Sequence, residues 1–284
     1  MPPRKAPTAR QRRLATELRK MRERAGLSIS DAAQLLSTDR TTVSNIESGR
    51  FGVSADRVRA WSTHHACPDP KYVDALARMA EERGKGWWEQ YRGTLSTSAL
   101  DLAELEHNAR SLTVLQVVYV PGLLQTEEYS RALFSQTVPE LSTIEVQRRV
   151  SHRMQRKCIM EREPLPTNCT FVIHEAALRM LFAGQDAQRR QLDRLVESSE
   201  LECITIHVIP FAAGAFPGAN SSLTYAAGPV PQLDTVSLDT AHGSLQLDAE
   251  NHLENYRSIL RRTLNVALSP EESRDFIHNI AKQL

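Results

Sequence analysis

In the N-terminal part of the chain apolar side chains recur three and four positions apart, the period of helices that bury one face. Leu14, Leu18, Met21 and Ala25 mark such a face on a helix ending at Gly26. Ala32, Ala33, Leu35 and Leu36 give the apolar side of a second, short helix, for which Ser28 supplies a capping hydroxyl. Ser37, Thr38 and Asp39 break the pattern and offer another cap. Val43 and Ile46 then form the buried edge of a third helix, and Gly49 stands where a helix end favours positive φ. Residues 53–64 predict a fourth helix with Val58 and Trp61 inward. Residues 70–82 predict a fifth, with Tyr72, Leu76 and Met79 on one side. Two short helices joined by a tight turn, as in residues 28 to 50, are the helix-turn-helix unit, whose second helix enters the DNA major groove.

From Arg83 the pattern changes. The segment GKGWWEQYRG is glycine-flanked and aromatic, and Trp87 and Trp88 are expected to pack between two halves of the chain rather than stack on bases. Residues 97–110 predict a polar-faced helix carrying Leu100, Leu102, Leu105 and Glu106. β-branched runs predict strands at 113–120, 169–174 and 203–209, and shorter ones at 222–226, 235–239 and 244–247. Between and after them lie helices. Thr126 caps one; Ser142 and Glu145 form a capping box for a long one reaching about 161; others span 175–182 and 187–199. Asp248 is expected to cap a helix to about 268, and Ser269-Pro270-Glu271-Glu272 starts the last. Strands and helices do not alternate strictly, so the expected class is α+β. It comprises an all-α N-terminal domain of about five helices, then a mixed domain with a mostly antiparallel sheet and flanking helices. The expected divisions are a disordered basic arm at 1–8, the helix-turn-helix domain at 9–82, a linker helix region at 83–112 and the C-terminal domain at 113–284.

Composition adds a charge asymmetry. Residues 1–66 carry thirteen basic and six acidic side chains, a net +7, so the overall +1 leaves −6 on the remainder. A basic front on an acidic body fits one nucleic-acid-binding domain with a separate partner. No run of about eighteen apolar residues predicts a membrane span. The basic start MPPRKAPTARQRR lacks the apolar centre of a secretory signal. Cys67, Cys158, Cys169 and Cys203 form no CxxC pair and are expected as free thiols of a cytoplasmic protein.

The segment from Ser28 to Arg50, SISDAAQLLSTDRTTVSNIESGR, resembles the Xre-type helix-turn-helix of phage repressors and many bacterial regulators. Ala33 matches the position of close helix approach, and IESGR matches the usual end of the recognition helix. Ser37 stands where that family usually has a turn glycine, and Ile29 where it usually has a glutamine. The resemblance implies a structural ion pair between Arg22 and Glu47. A second resemblance covers about residues 83 to 284, in the succession GWWEQY, ELEHNAR, VPGLLQTEEYSRAL, HRMQRK, IHEAALR, VIPFAAGAF and ALSPEES. This order is similar to the C-terminal domain of a large actinobacterial regulator group that includes WhiJ- and AbaA-like developmental regulators and antitoxin-like proteins. It implies a small BldB-like protein, encoded nearby, as partner. Asn220-Ser221 and Leu223 stand where the group usually has a glycine and a phenylalanine.

A search for catalytic chemistry finds little. His174-Glu175 opens like HExxH, but Leu178 occupies the second histidine position. His64 and His65, adjacent on a helix, face different ways. Asp239, His242 and Ser244 are close in sequence, as a tight turn would have them. Arg148, Arg149, Arg153, Arg156 and Lys157 make a basic stripe, read either as a solvated face or as a surface for an acidic partner or flanking DNA.

The expected function is therefore that of a sequence-specific DNA-binding transcription regulator, with no enzyme activity, cofactor or metal. A single unit reads few base pairs, so a homodimer on a near-palindrome of double-stranded DNA is expected. Arg40, Thr41 and Asn45 are assigned to bases, since arginine suits guanine and asparagine adenine. Thr42, Ser44, Ser48 and Arg50 are assigned to phosphates. Two alternatives stay open. One is an antitoxin-like protein that neutralises a small partner. The other is a small-molecule sensor using a pocket around Phe211, Phe216 and Asn220.

Overall fold

The computed structural model describes residues 7–82, 86–240 and 243–284. Most of the expected basic arm, and His242 of the Asp239–His242–Ser244 group, lie outside the described residues. The chain divides into two units, Met1–Glu89 and Gln90–Leu284.

Among its described residues the first unit holds five α-helices: α1 Ala9–Arg24, α2 Ile29–Leu35, α3 Arg40–Glu47, α4 Ala55–His64 and α5 Pro70–Glu81. The side chains of Thr8, Ser28, Asp39, Ser54 and Asp69 each accept a first-turn amide of the helix that follows. Those amides have no partner within the helix, so each cap fixes where its helix begins. Leu18, Val43, Val58, Trp61 and Leu76 are fully buried between the helices. The Trp61 indole N–H donates to the Leu18 carbonyl at 3.2 Å, which ties α4 to α1.

The second unit contains α6 Thr97–Asn108, β1 Ser111–Gln116, α7 Glu127–Phe134, α8 Thr143–Gln155, α9 Cys158–Glu161, β2 Asn168–His174, α10 Glu175–Arg179, α11 Gln185–Ser198, β3 Ile204–Ile209, β4 Leu223–Ala227, β5 Thr235–Thr240, β6 Gly243–Leu247, α12 Glu250–Leu264 and α13 Pro270–Gln283. The class is α+β, as expected, with a six-stranded mixed sheet in the order β3-β2-β1-β4-β5-β6. Strands β1, β2 and β3 run parallel, joined by helical crossovers. β4, β5 and β6 are added antiparallel, β4 pairing with β1.

Both sheet faces are buried, in the period-two alternation that a pleated strand imposes. Leu112, Val114, Phe171, Ile173, Ile206 and Val208 point to one face, where Leu192, Leu195, Ile277 and Ile280 of α11 and α13 cover them. Leu115, Val172, Leu223, Tyr225 and Val236 point to the other, against Leu253 and Leu260 of α12. The four cysteines are free thiols.

Several sequence expectations are corrected. Leu35 is 41 % exposed; α2 buries Ala32 and Ala33 instead, and such small side chains let α2 lie close to α3. Ala25 is exposed at the C-cap of α1. β1 stops at Gln116 rather than Val120, whose amide donates to the Tyr129 hydroxyl at 3.3 Å instead of to a strand. α10 stops at Arg179, and Ala249 rather than Asp248 precedes α12.

The long helix expected to reach residue 161 ends at Gln155, and α9 follows as a separate turn. The basic stripe is not one uniform surface. Arg148 is exposed, but Arg156 is 8 % exposed and pairs with Glu106 of α6 through hydrogen bonds of 2.8 and 2.6 Å. Lys157 donates to the Gln125 carbonyl at 2.6 Å. A guanidinium can be buried here because a carboxylate meets it in bidentate geometry.

Candidate nucleic-acid interface

α2, a turn and α3 form the helix-turn-helix. The turn is built by backbone hydrogen bonds, the Ser37 amide to the Gln34 carbonyl at 3.2 Å and the Thr38 amide to the Ala33 carbonyl at 2.9 Å. This reversal puts Ser37 in the left-handed region, φ 49°. A side chain there is strained, which explains why glycine is the usual residue at such a turn.

Asp39 then starts α3. One carboxylate oxygen accepts the Thr42 amide at 2.8 Å and the other the Thr42 hydroxyl at 2.7 Å. The hydroxyl, and next the amide, of Thr42 hold the Asp39 carboxyl below its ordinary range. The N-terminus of α3 is thus filled by an ionised side chain, which disfavours a phosphate at that end.

Val43 is fully buried and Ile46 is 2 % exposed, so the opposite side of α3 faces solvent. Arg40, Thr41 and Ser44 are exposed on it, and Asn45 is half-buried at its edge. Arg50 is exposed just beyond the helix. Among the described residues, none of these five side chains makes a hydrogen bond or ion pair within the chain. Thr42 is half-buried with its hydroxyl hydrogen given to Asp39, and Ser48 gives its own to the Asn45 carbonyl at 3.2 Å. The base-assigned Arg40, Thr41 and Asn45 are therefore brought together. Of the phosphate-assigned residues, only Ser44 and Arg50 have uncommitted donors.

Three devices fix the far end of α3. Arg22 and Glu47, with side chains 9 % and 5 % exposed, are joined at 2.6 Å. Gly49 closes the helix at φ 71°, where a Cβ would stand 3.5–3.7 Å from Pro7, the Gln11 carbonyl and Ala15. The Arg50 and Phe51 amides both donate to the Asn45 carbonyl, at 2.9 and 3.1 Å. One basic residue escaped the sequence reading. Arg57 of α4 reaches the Thr38 hydroxyl at 3.4 Å and brings a positive charge beside the turn. Its only sequence signal was its place in the first turn of α4.

In the second unit Glu175 and His174 have structural partners. Glu175 is 7 % exposed, bonded to Arg179 at 2.6 Å and to the Phe211 amide at 2.7 Å. His174 caps α10 by accepting the Ala176 amide at 3.3 Å, and its ring lies 5.1 Å from Phe211 and 5.4 Å from Phe216. Phe211 is 56 % exposed and Asn220 is exposed. Neither these two nor Phe216 lines the cavity described below. Among the described residues no three histidine, cysteine or acidic side chains cluster as metal ligands. No described helix is long and apolar enough to cross a membrane.

Residues 13–79 match the family described as helix-turn-helix domain. With the geometry above, this makes the first unit the DNA-binding head of a regulator. No curated protein matches the chain. Residues 99–279, more than half of it, match the family described as domain of unknown function (DUF5753), and the chain belongs to that family, carrying a helix-turn-helix domain ahead of it.

Proposed function

We propose that the chain is a sequence-specific transcription regulator that binds double-stranded DNA as a homodimer and acts by binding, without turnover. The observation that carries this is the row of exposed Arg40, Thr41 and Ser44 with half-buried Asn45 at its edge, without a side-chain partner among the described residues and held outward by buried Val43 and Ile46. Such a row matches the base edges of a major groove, with Arg40 on guanine and Asn45 on adenine. Ser44 and Arg50 hold phosphates, and Thr42 and Ser48 serve the helix ends. Two heads one helical turn apart, on a near-palindrome, raise affinity into the specific range.

The test is anisotropy titration of the full chain against duplexes from its own promoter region, at two salt concentrations. Saturable binding that survives competitor DNA, with two chains per duplex, supports the reading. Equal affinity for every duplex would overturn it.

A second reading gives the DUF5753 domain a small protein partner, BldB-like as in the WhiJ- and AbaA-like group, with an antitoxin-like variant of the same idea. Its support is an exposed apolar surface at Val118, Tyr119, Met180 and Leu181, where the Tyr119 and Phe182 rings lie 4.8 Å apart. Co-purification with the product of an adjacent small reading frame, lost in Tyr119→Asp, tests it.

A further inference from the structure

Three segments quoted from the sequence, ELEHNAR, VPGLLQTEEYSRAL and HRMQRK, lie outside the helix-turn-helix unit. In the second unit they meet around one cavity of about 490 Å³, within the size range of small-molecule sites. Glu106 comes from the first, Gly122 and Gln125 from the second, Arg153 and Arg156 from the third. Apolar walls are supplied by Leu102, Val114, Leu133 and Phe134.

The two arginines are not equivalent. Arg156 is neutralised by its bidentate bond to Glu106. Arg153 meets only a neutral acceptor, the Gln125 side-chain oxygen, 2.6 Å from one terminal nitrogen. Gln125 is locked in that orientation, since its amide nitrogen donates to the Val120 carbonyl at 2.7 Å and its oxygen also accepts from Ser130 at 3.0 Å. Phe134 stacks 4.5 Å from the Arg153 guanidinium carbon and holds it in place. The Arg153 Nε–H is buried with no acceptor, and among the described residues no carboxylate lies within ion-pair distance of this side chain.

Space is kept in front of that group. A Cβ on Gly122 would stand 3.5 and 3.6 Å from the Arg156 terminal nitrogens and 3.7 Å from Arg153 Nε. Burial, and then the like charge of Arg156, pull the Arg153 guanidinium down to about 9. It still carries its charge at neutral pH and lacks a contacting counter-ion. Asp239, exposed and among the residues lining the cavity, exerts the largest opposing electrostatic influence on Arg153, ahead of Glu106.

We infer that this cavity binds a small organic anion, its carboxylate or sulfonate seated on Arg153 beside Gly122 and its apolar body against Phe134 and Leu133. An anion there gives the orphaned N–H its acceptor and the guanidinium its counter-charge. The site stands independently of the DNA-binding reading.

The test uses the full chain and two fluorescent ligands of nearly equal shape, 8-anilinonaphthalene-1-sulfonate and its uncharged parent N-phenyl-1-naphthylamine. The expected result is one saturable site for the sulfonate, at least about tenfold tighter than for the parent, as a charge-assisted hydrogen bond implies. In Arg153→Met that preference falls to near unity, and Gly122→Val weakens both ligands. Equal affinity of the two ligands for the wild type, or an unchanged preference in a folded Arg153→Met, overturns the inference. Should Arg153→Met not fold, Asp239→Asn on the exposed rim decides. Tighter sulfonate binding with the parent unchanged supports the site, and no change in the sulfonate overturns it.

Discussion

Arg22 and Glu47 hold the recognition helix by its last turn. The guanidinium donates to both carboxylate oxygens, at 2.6 and 2.8 Å, and to the Leu27 carbonyl at 2.8 Å, so one side chain of α1 fixes both the end of α3 and the end of the loop into α2. The hydrogen bond to Glu47 raises the Arg22 guanidinium above its usual range. Breaking such a pair strands a buried charge, at a cost of about 3–5 kcal/mol. Urea unfolding of Glu47→Gln should show a loss of that size in the first unit. The double variant Arg22→Met/Glu47→Leu should recover a large part of it, because it leaves no charge unpaired.

Ser37 offers the opposite experiment. At φ 49° it occupies a conformation that glycine adopts without strain. Ser37→Gly should stabilise the first unit by about 1 kcal/mol, and Ser37→Val should destabilise it, as thermal melts will read. A neutral Ser37→Gly would mean that the turn relaxes elsewhere.

The roles proposed for Arg40 and Arg50 separate by sequence dependence. Arg40→Ala should cost about 1–3 kcal/mol on the preferred operator and relax the choice at one base pair. Arg50→Ala should weaken all duplexes alike and lower the slope of log K against log salt by about one. Titrations against a set of singly substituted operators distinguish the two. Equal losses from both variants on every duplex would remove the assignment.

His152 predicts how stability varies with pH. It is 4 % exposed in α8, and burial, then the charges of Arg156 and Arg153, push its pKa down to about 4. The unfolded chain, with a histidine near 6.5, therefore binds the proton more readily than the folded one. The stability that depends on neutral His152 is complete above about pH 6.5. It falls by about 1.4 kcal/mol per unit as the pH drops toward 4. Chemical unfolding at pH 7.5, 6 and 5 should show this slope in the wild type and a shallower one in His152→Asn.

What was legible in the sequence was what neighbours a few positions apart decide. Ser28, Asp39, Thr126, Ser142 and Ser269 cap helices because each accepts an amide three residues on. The apolar period placed Val43, Ile46, Val58 and Trp61 inside, and β-branched runs marked the strands. That reading sufficed for the helix-turn-helix and for the α+β class. Tertiary structure alone decided that α2 turns Leu35 outward and that HRMQRK turns Arg156 inward. It also decided that Arg153 lines a cavity. The reason is distance along the chain. Arg156 meets a carboxylate 50 residues away and Arg153 an amide 28 residues away. A basic residue on a helix reads alike in sequence whether water or a buried acid neutralises it, and only the packed fold supplies the acid.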